Sequence, residues 1–498
     1  MMLLKGFKFK KFSQFSIRFI VLLTSSIFLM SNLAFALVAV TAQSINGNRP
    51  YFIDPDAVGV NGSREYDQQN FQYFGIKFQS QVFTGINDLN RQLKNINFPQ
   101  VDPNATTPNQ LMTSLKSNYG LDGTMIPFSM SNPVDSQLVA DDDGDSITQI
   151  TPPDGGFKID WFYRYDNKSY LLLESDRNRT FCELARLGWS PYIRISGSIA
   201  LVTQYGVPNY KVYPGAKKDF LIYNAIKPTV CANRPSIVHS FLFENRDYTG
   251  DWVYLTWGDA NQHVIDSGFV NKVSSGGFPT TGFDQARFLM FIAGAPFDLS
   301  TITSSNSSKG VNIEINQITV GDIDSHLINT GLQVKLTGEA TDVNPTFTIK
   351  SDGEDIYTFT IKKWFTSPSQ DVYHYNQSAS VCNGKYVVPT IEDLTNSDQN
   401  LITNGPCKSD NNSDNCLAIT TNHYYRRIGN SLLGEWGNIT NEGKLYHHTY
   451  PGNHFPKGHL YWTSDERDAT NQYTVGTTIG AIEWQPKNNE LYFVCVLK

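Results

Sequence analysis

The chain has 498 residues, 17% of them charged and 13% aromatic, with 40 basic side chains against 47 acidic ones and a formal net charge of −7. That balance argues against a general electrostatic hold on nucleic acid or anionic lipid. The length is too great for one core, so two to four domains are expected, and the content of Tyr, Phe, Gly, Asn, Ser and Thr points to a mainly β, extracellular type of protein.

The first segment carries Lys5, Lys8, Lys10, Lys11 and Arg18 and no acidic residue, followed by a mostly apolar run from Phe19 to Ala36. It ends in Ala34-Phe35-Ala36, the small-x-small pattern of a cleaved secretory signal, with a second candidate cut after Ala42. The rival reading is an uncleaved anchor, since apolar character persists through Val40, but Ser25, Ser26, Ser31 and Asn32 interrupt the run. Cleavage after Ala36 leaves 35 of the 40 basic groups against 47 acidic ones, a net of −12, and no further membrane span.

Residues 37–45 alternate as a strand and lead into a turn at Asn46-Gly47-Asn48. FQYFGIKFQSQVF at 71–83 reads as a strand broken at its Gly, and residues 98–122, rich in Pro, Asn and Thr, read as loop. After the acidic run at 141–145 and ITQITPPDGG, the aromatic-rich residues 159–175 alternate again, and residues 190–214 predict two strands around Ser196-Gly197. Ser300–Ser308 is almost all Ser, Thr and Asn and reads as a linker. Four period-2 runs then follow within 310–365, a small β-sandwich module or half of one. Beyond Trp364, Thr390 is an N-cap with Asp393 at the reciprocal position, and Ile391 and Leu394 share a face, so a short helix starts there. Gly434-Glu435-Trp436-Gly437, Tyr461-Trp462-Thr463-Ser464-Asp465 and a last strand at 491–498 complete the chain.

Six cysteines remain after the signal: Cys182, Cys231, Cys382, Cys407, Cys416 and Cys495. An even number behind an export signal predicts three disulfides, with 15 pairings open, and the absence of C-x-x-C spacing disfavours a metal site.

Cys382, the YVVPT segment at 386–390 with its helix, GEWG, YWTSD and Cys495, in that order, resemble the C-type-lectin-like module at the tip of the intimin/invasin adhesins. AVTAQSINGNRPYF at 39–52, the 141–145 run, TQYGVPN at 203–209, CANRPS at 231–236 and GGFPTTG at 276–282 extend the resemblance to the larger carboxyl-terminal adhesion region of inverse autotransporters. The resemblance implies bridges Cys382–Cys495, Cys407–Cys416 and Cys182–Cys231, the last closing about 50 residues and contributing roughly 4 kcal/mol. Those adhesins begin with an outer-membrane barrel, for which this chain has no strand series before Leu37. It is therefore similar to a free-standing passenger of the Zir type, a secreted exoprotein exported by a separate intimin-like translocator.

The expected organisation is a signal peptide over 1–36 and a β-rich adhesion region over 37–298. A β-sandwich-like module over 309–363 and a C-type-lectin-like α+β domain over 364–498 follow, the sandwich modules being immunoglobulin-like. The function expected is recognition of an extracellular protein or glycan by a secreted or surface adhesin. A modulator of host interaction that acts with its translocator is the alternative, and a secreted glycan-acting enzyme is the rival from another class.

Calcium-dependent lectins use Glu-Pro-Asn or Gln-Pro-Asp because hard calcium needs clustered oxygens, whereas this chain has Gln485-Pro486-Lys487. No cofactor is expected, with calcium the one candidate, at Asp141, Asp143 and Asp145, though Pro152 stands where an EF-hand requires its last glutamate. His447, His448, His454 and His459 lack zinc-binding helical spacing. Neither a G-x-S-x-G elbow nor a phosphate-binding loop occurs, so no enzyme is expected, although a distant carboxylate pair leaves the glycan-acting alternative standing. The contact surface is expected at Tyr424, Tyr425, Arg426, Tyr446, His448 and Tyr450, with Trp436 and Trp462 packed inside.

Overall fold

A computed structural model describes residues 49–53, 71, 73–83, 96, 98–125, 139–141, 145–151, 156–165, 168–220, 225–235, 262–264, 268–270, 277–294, 302–306, 309–320, 329–342, 344–351, 353–409, 415–416, 421–429, 431–440, 452–456 and 460–497. The expected signal peptide, the strand at 37–45 and its turn lie outside these residues. No helix among them is long and apolar enough to cross a membrane. The protein is mainly β, built from antiparallel sheets apart from one parallel strand pair among the described residues, Thr281–Phe283 with Lys363–Thr366.

In the amino-terminal unit, β1 (Tyr51–Phe52) pairs with β5 (Val139–Ala140), and β2 (Phe74–Phe78) lies between β3 (Gln81–Phe83) and β4 (Asp122–Met125). The single broken strand expected over 71–83 is a hairpin. Gly75 continues the strand opposite Thr124, and the chain reverses at Gln79 and Ser80, whose φ angles are 49° and 64°. Two-residue hairpin turns need positive φ at both positions and favour Asn-Gly, so Gln-Ser does not announce one.

The loop expected over 98–122 is also corrected. Pro108–Tyr119 is a helix, started by a capping box in which Thr107 accepts from Gln110 N–H and its own N–H donates to Gln110 Oε1 at 2.9 Å. Pro108 at its first turn and Gly120 in the left-handed region at its end complete the boundary signals. With Leu111 and Leu115 its buried leucines, the apolar period was too sparse to stand out against the Pro, Asn and Thr.

The main sheet runs β10-β9-β7-β8, from β7 (Lys158–Tyr165), β8 (Lys168–Leu171), β9 (Ser190–Thr203) and β10 (Tyr210–Phe220), with β6 (Ile147–Thr151) beside the far end of β9. The two strands expected around Ser196-Gly197 are one strand. β9 passes through Gly197, which pairs with Ala216, and the chain turns only after Thr203. Phe52, Phe71, Phe74, Trp161, Ile199 and Leu201 form part of the core, where each fully buried large side chain contributes roughly 2 kcal/mol. Cys182, on the short helix Phe181–Arg186, is bridged to Cys231 of the next strand, with Cα atoms 5.1 Å apart.

The second unit begins with β11 (Thr229–Pro235), β12 (His263–Val264), β13 (Gly268–Val270), β14 (Thr281–Phe283), β15 (Arg287–Ala293) and β16 (Ile302–Asn306). β17 (Val311–Val320), β18 (Asn329–Gly338), β19 (Thr346–Ser351), β20 (Glu354–Thr360) and β21 (Lys363–Thr366) follow. A six-stranded sheet β12-β13-β11-β15-β18-β17 faces a three-stranded sheet β16-β19-β20. Val311, Leu332, Val334 and Leu336 meet Phe347, Ile349, Tyr357 and Phe359 in one sandwich core. The linker expected at 300–308 is corrected, because Ile302–Asn306 pairs with Phe347–Ser351. Ladder hydrogen bonds come from the backbone, so a polar Ser/Thr/Asn segment can serve as a strand.

The last unit adds β22 (Tyr386–Val387), β23 (Leu460–Glu466), β24 (Asn471–Gly476), β25 (Ile482–Pro486) and β26 (Cys495–Leu497). β23, β24 and β25 form a small sheet, while a separate sheet runs β14-β21-β26-β22. Thr390 and Asp393 close the capping box that starts the helix Ile391–Leu394. Cys382–Cys495 and Cys407–Cys416 are bridged. One hydrophobic core runs from Val230 and Phe288 through Phe347 and Trp364 to Leu432, Trp436 and Leu497. The limits expected at 298/309 and 363/364 therefore pass through a shared core.

Candidate recognition surface

The segment 422–429 is polar, aromatic and glycine-ended, with no regular strand of its own, so its shape depends on what its backbone binds. Asn422 is buried and bonds Ile482 twice, donating to its carbonyl at 2.8 Å and accepting its N–H at 2.7 Å. Tyr424 N–H donates to Ile479 O at 2.9 Å. Asn396 grips the next residue on both sides, accepting Tyr425 N–H at 2.8 Å and donating to Tyr425 O at 2.9 Å. Arg427 N–H donates to Gly434 O, and Ile428 N–H to Gln262 Oε1 at 3.0 Å. The loop is thus tied along nearly its whole length, yet the Tyr425 side of it faces solvent at 38% exposure.

A further tie, from Gly429 N–H, leads to Glu435. Ser431 caps the short helix Leu432–Trp436, accepting from Gly434 N–H, and all five helical residues are buried. Glu435 is fully buried. Its Oε2 accepts Thr280 N–H at 2.9 Å, Thr281 N–H at 2.8 Å and the Thr281 hydroxyl at 2.7 Å. Its Oε1 accepts Gly429 N–H at 3.2 Å and meets the Thr280 hydroxyl in a short contact. Trp436 Nε1–H adds a bond to Thr281 O at 3.1 Å, and its ring packs 5.0 Å from Phe278. Burial pushes the Glu435 carboxyl above its ordinary range, against the five donors, which favour the ionised form. The GGFPTTG and GEWG motifs, 155 residues apart, thus meet in one polar knot inside the core.

Tyr424, Tyr425 and Arg426 therefore lie together on a fixed loop. Arg426 is half-buried and works inward, donating Nη1–H to the Glu435 carbonyl at 3.0 Å, while Arg427 is the more exposed of the two arginines. Tyr446, His448 and Tyr450 lie outside the described residues. Trp436 and Trp462 are buried, Trp462 donating to Tyr373 O at 3.0 Å.

At the end of β25, Lys487 Nζ sits 2.6 Å from Glu466 Oε1 and donates to Ala469 O. Lys487 is thus committed to an ion pair with Glu466. Asp468 organises the turn from β23 to β24, accepting from Thr470 and Asn471; the Asn471 side chain first, then the Thr470 backbone, hold its carboxyl well below the usual range. Of the acidic run, Asp141 and Asp145 are each partly exposed and Asp143 lies outside the described residues. Of the four clustered histidines, His454 is described, and its carbonyl accepts from Gln370; His447, His448 and His459 are not. Among the described residues no three His, Cys, Asp or Glu side chains gather as a metal site would require.

Sequence reasoning missed Glu435, Thr280, Thr281 and Asn396 as the residues that shape this surface. The one local signal was a glutamate enclosed by apolar neighbours in SLLGEWG, where an exposed helix face would carry more polar residues.

No protein-family model and no curated protein matches the chain. Among solved structures it is similar to the crystal structure of invasin, a bacterial integrin-binding protein, at 13% identity and a TM-score of 0.30, over 87% of this chain. The chain spans 61% of that protein's length.

Proposed function

We propose that this chain is an exported recognition protein, an adhesin or exoprotein, whose C-type-lectin-like carboxyl-terminal unit meets a protein partner without calcium. The observation that carries the reading is Tyr425, exposed at its side chain while Asn396 holds its main chain on both sides. Tyrosine and arginine are enriched among the few residues that anchor protein interfaces, and a loop ordered in advance loses little entropy on binding. The ion pair of Lys487 with Glu466 favours a protein over a calcium-held sugar. Three disulfides suit a chain that works outside the reducing cytoplasm, secreted or held at a cell surface.

The test uses the full mature chain with its disulfides intact, presented to proteins extracted from host cell surfaces. Tyr425→Ala combined with Arg427→Ala is expected to weaken a saturable interaction by about tenfold to a hundredfold. Tyr170→Ala, at an exposed position on β8, is expected to leave it unchanged. Equal binding by all three proteins, or no saturable partner, sinks the reading.

A further inference from the structure

We infer that Glu435 is a proton-operated clamp, closing the β14 turn onto the 422–429 loop when its carboxyl group is neutral and opposing that closure when it is ionised. The inference does not depend on what the loop binds.

Three observations carry it. The carboxyl group is fully buried. It joins three segments distant in sequence: the turn holding Thr280 and Thr281, its own helix, and the loop ending at Gly429. No cation among the described residues faces it. The turn Gly277–Phe283 and the rest of the helix contain no ionisable side chain. On the loop, Arg426 reaches the Glu435 backbone carbonyl and not the carboxylate, and Arg427 is exposed. On β20, the Tyr357 hydroxyl donates to Phe278 O at 2.5 Å, and burial together with the nearby Glu435 keeps that phenol protonated. Among the described residues a negative charge at Glu435 therefore rests on hydrogen-bond dipoles, in a region where desolvation of an ion is costly.

The two oxygens are not equivalent. Oε2 takes two backbone N–H groups and a hydroxyl, so it is suited to remain an acceptor. Oε1 faces the Thr280 hydroxyl, which can rotate and accept, so a proton on Oε1 fits with no heavy atom displaced. The Gly429 N–H keeps its place on the other lone pair.

The sign follows. Burial raises the folded-state value above the ordinary 4.5, so the native state holds its proton where the unfolded chain has lost it. The clamp's contribution is complete below the ordinary value and is lost as pH climbs through the raised one.

The test is hydrogen exchange by mass spectrometry on the full disulfide-bonded chain, from about pH 4 to about pH 9, corrected for intrinsic rates. Wild-type peptides covering 277–283 and 422–429 are expected to lose protection by about tenfold across the range, while β9–β10 peptides do not follow them. Glu435→Gln carries no charge and is expected to give a flat profile in the same peptides. Its baseline should be lower near Gly429, because an NH2 group cannot accept that bond. Parallel profiles in the two proteins overturn the clamp. If the variant does not fold, the wild-type chain still decides, and a flat profile or a loss shared equally by β9–β10 overturns it.

Discussion

The guanidinium group of Arg426 lies against Gly437, where an added Cβ would come within 2.9 Å of Nη1. Gly437 also has φ 69° and ψ −152°, a region open essentially to glycine alone. Gly437→Ala is therefore expected to cost about 2–4 kcal/mol, combining backbone strain with displacement of Arg426. Arg426→Ala, which gives up its hydrogen bond to the Glu435 carbonyl but leaves the Gly437 backbone unstrained, should cost less. Urea unfolding of both variants checks the order, and a larger loss for Arg426→Ala would refute it.

The paired bonds between Asn396 and Tyr425 make a second prediction. Asn396→Ala removes both and should cost about 1–2 kcal/mol, since the site is near the surface and water can replace part of the loss. Its larger effect is expected on amide exchange at 424–426, which should accelerate well beyond the global change in stability. Exchange that tracks global stability alone would mean the loop is held by other contacts.

A fragment covering 364–498 should not fold by itself. β21 pairs with β14 in the preceding unit, and Glu435 would lose Thr280 and Thr281. A fragment covering 225–498 contains these partners and is expected to show a cooperative thermal transition by circular dichroism. A cooperative transition in the shorter fragment contradicts the shared core.

Lys218 points inward from β10 at 7% exposure, and burial pushes its amine down to about 8. The native state then binds fewer protons than the unfolded chain between about pH 8 and about pH 10.5, so stability attributable to this group rises with pH across that window. Lys218→Met should remove that rise and add about 1–3 kcal/mol at neutral pH. The check is the difference between wild-type and variant unfolding curves at several pH values. A constant difference would show that the amine finds water in the native state.

Chelation gives a fifth prediction. Because Lys487 already satisfies Glu466 at the end of β25, EDTA should leave partner binding by the carboxyl-terminal unit unchanged. Calorimetry with calcium on the same chain separates this from any binding at Asp141 and Asp145, which would shift the melting of the amino-terminal unit alone.

What could be read in advance follows the range of the interactions. The helix at Ile391–Leu394 was legible because Thr390, Asp393, Ile391 and Leu394 are local and sufficient. The strands from Val311 to Thr366 were legible because their period of two runs uninterrupted. Composition misled at Pro108–Tyr119, where capping signals in Thr107, Gln110 and Gly120 outweighed the polar content. At Ile302–Asn306 the strand is specified by its pairing with β19, which no property of one isoleucine and four polar residues discloses. Glu435 was illegible for the same reason, since every donor outside its loop comes from residues more than 150 positions away.

The place of β26 has one more consequence. Cys495–Leu497 lies between β21 and β22, so a strand distant in sequence from β21 is an interior one. The amino-terminal unit draws its core from residues 52–293 and can consolidate while synthesis continues. The sheet that joins β14, β21 and β22 cannot close before residues 495–497 are in place. The whole stretch from β11 onward thus stays open until the segment around Cys495 joins it.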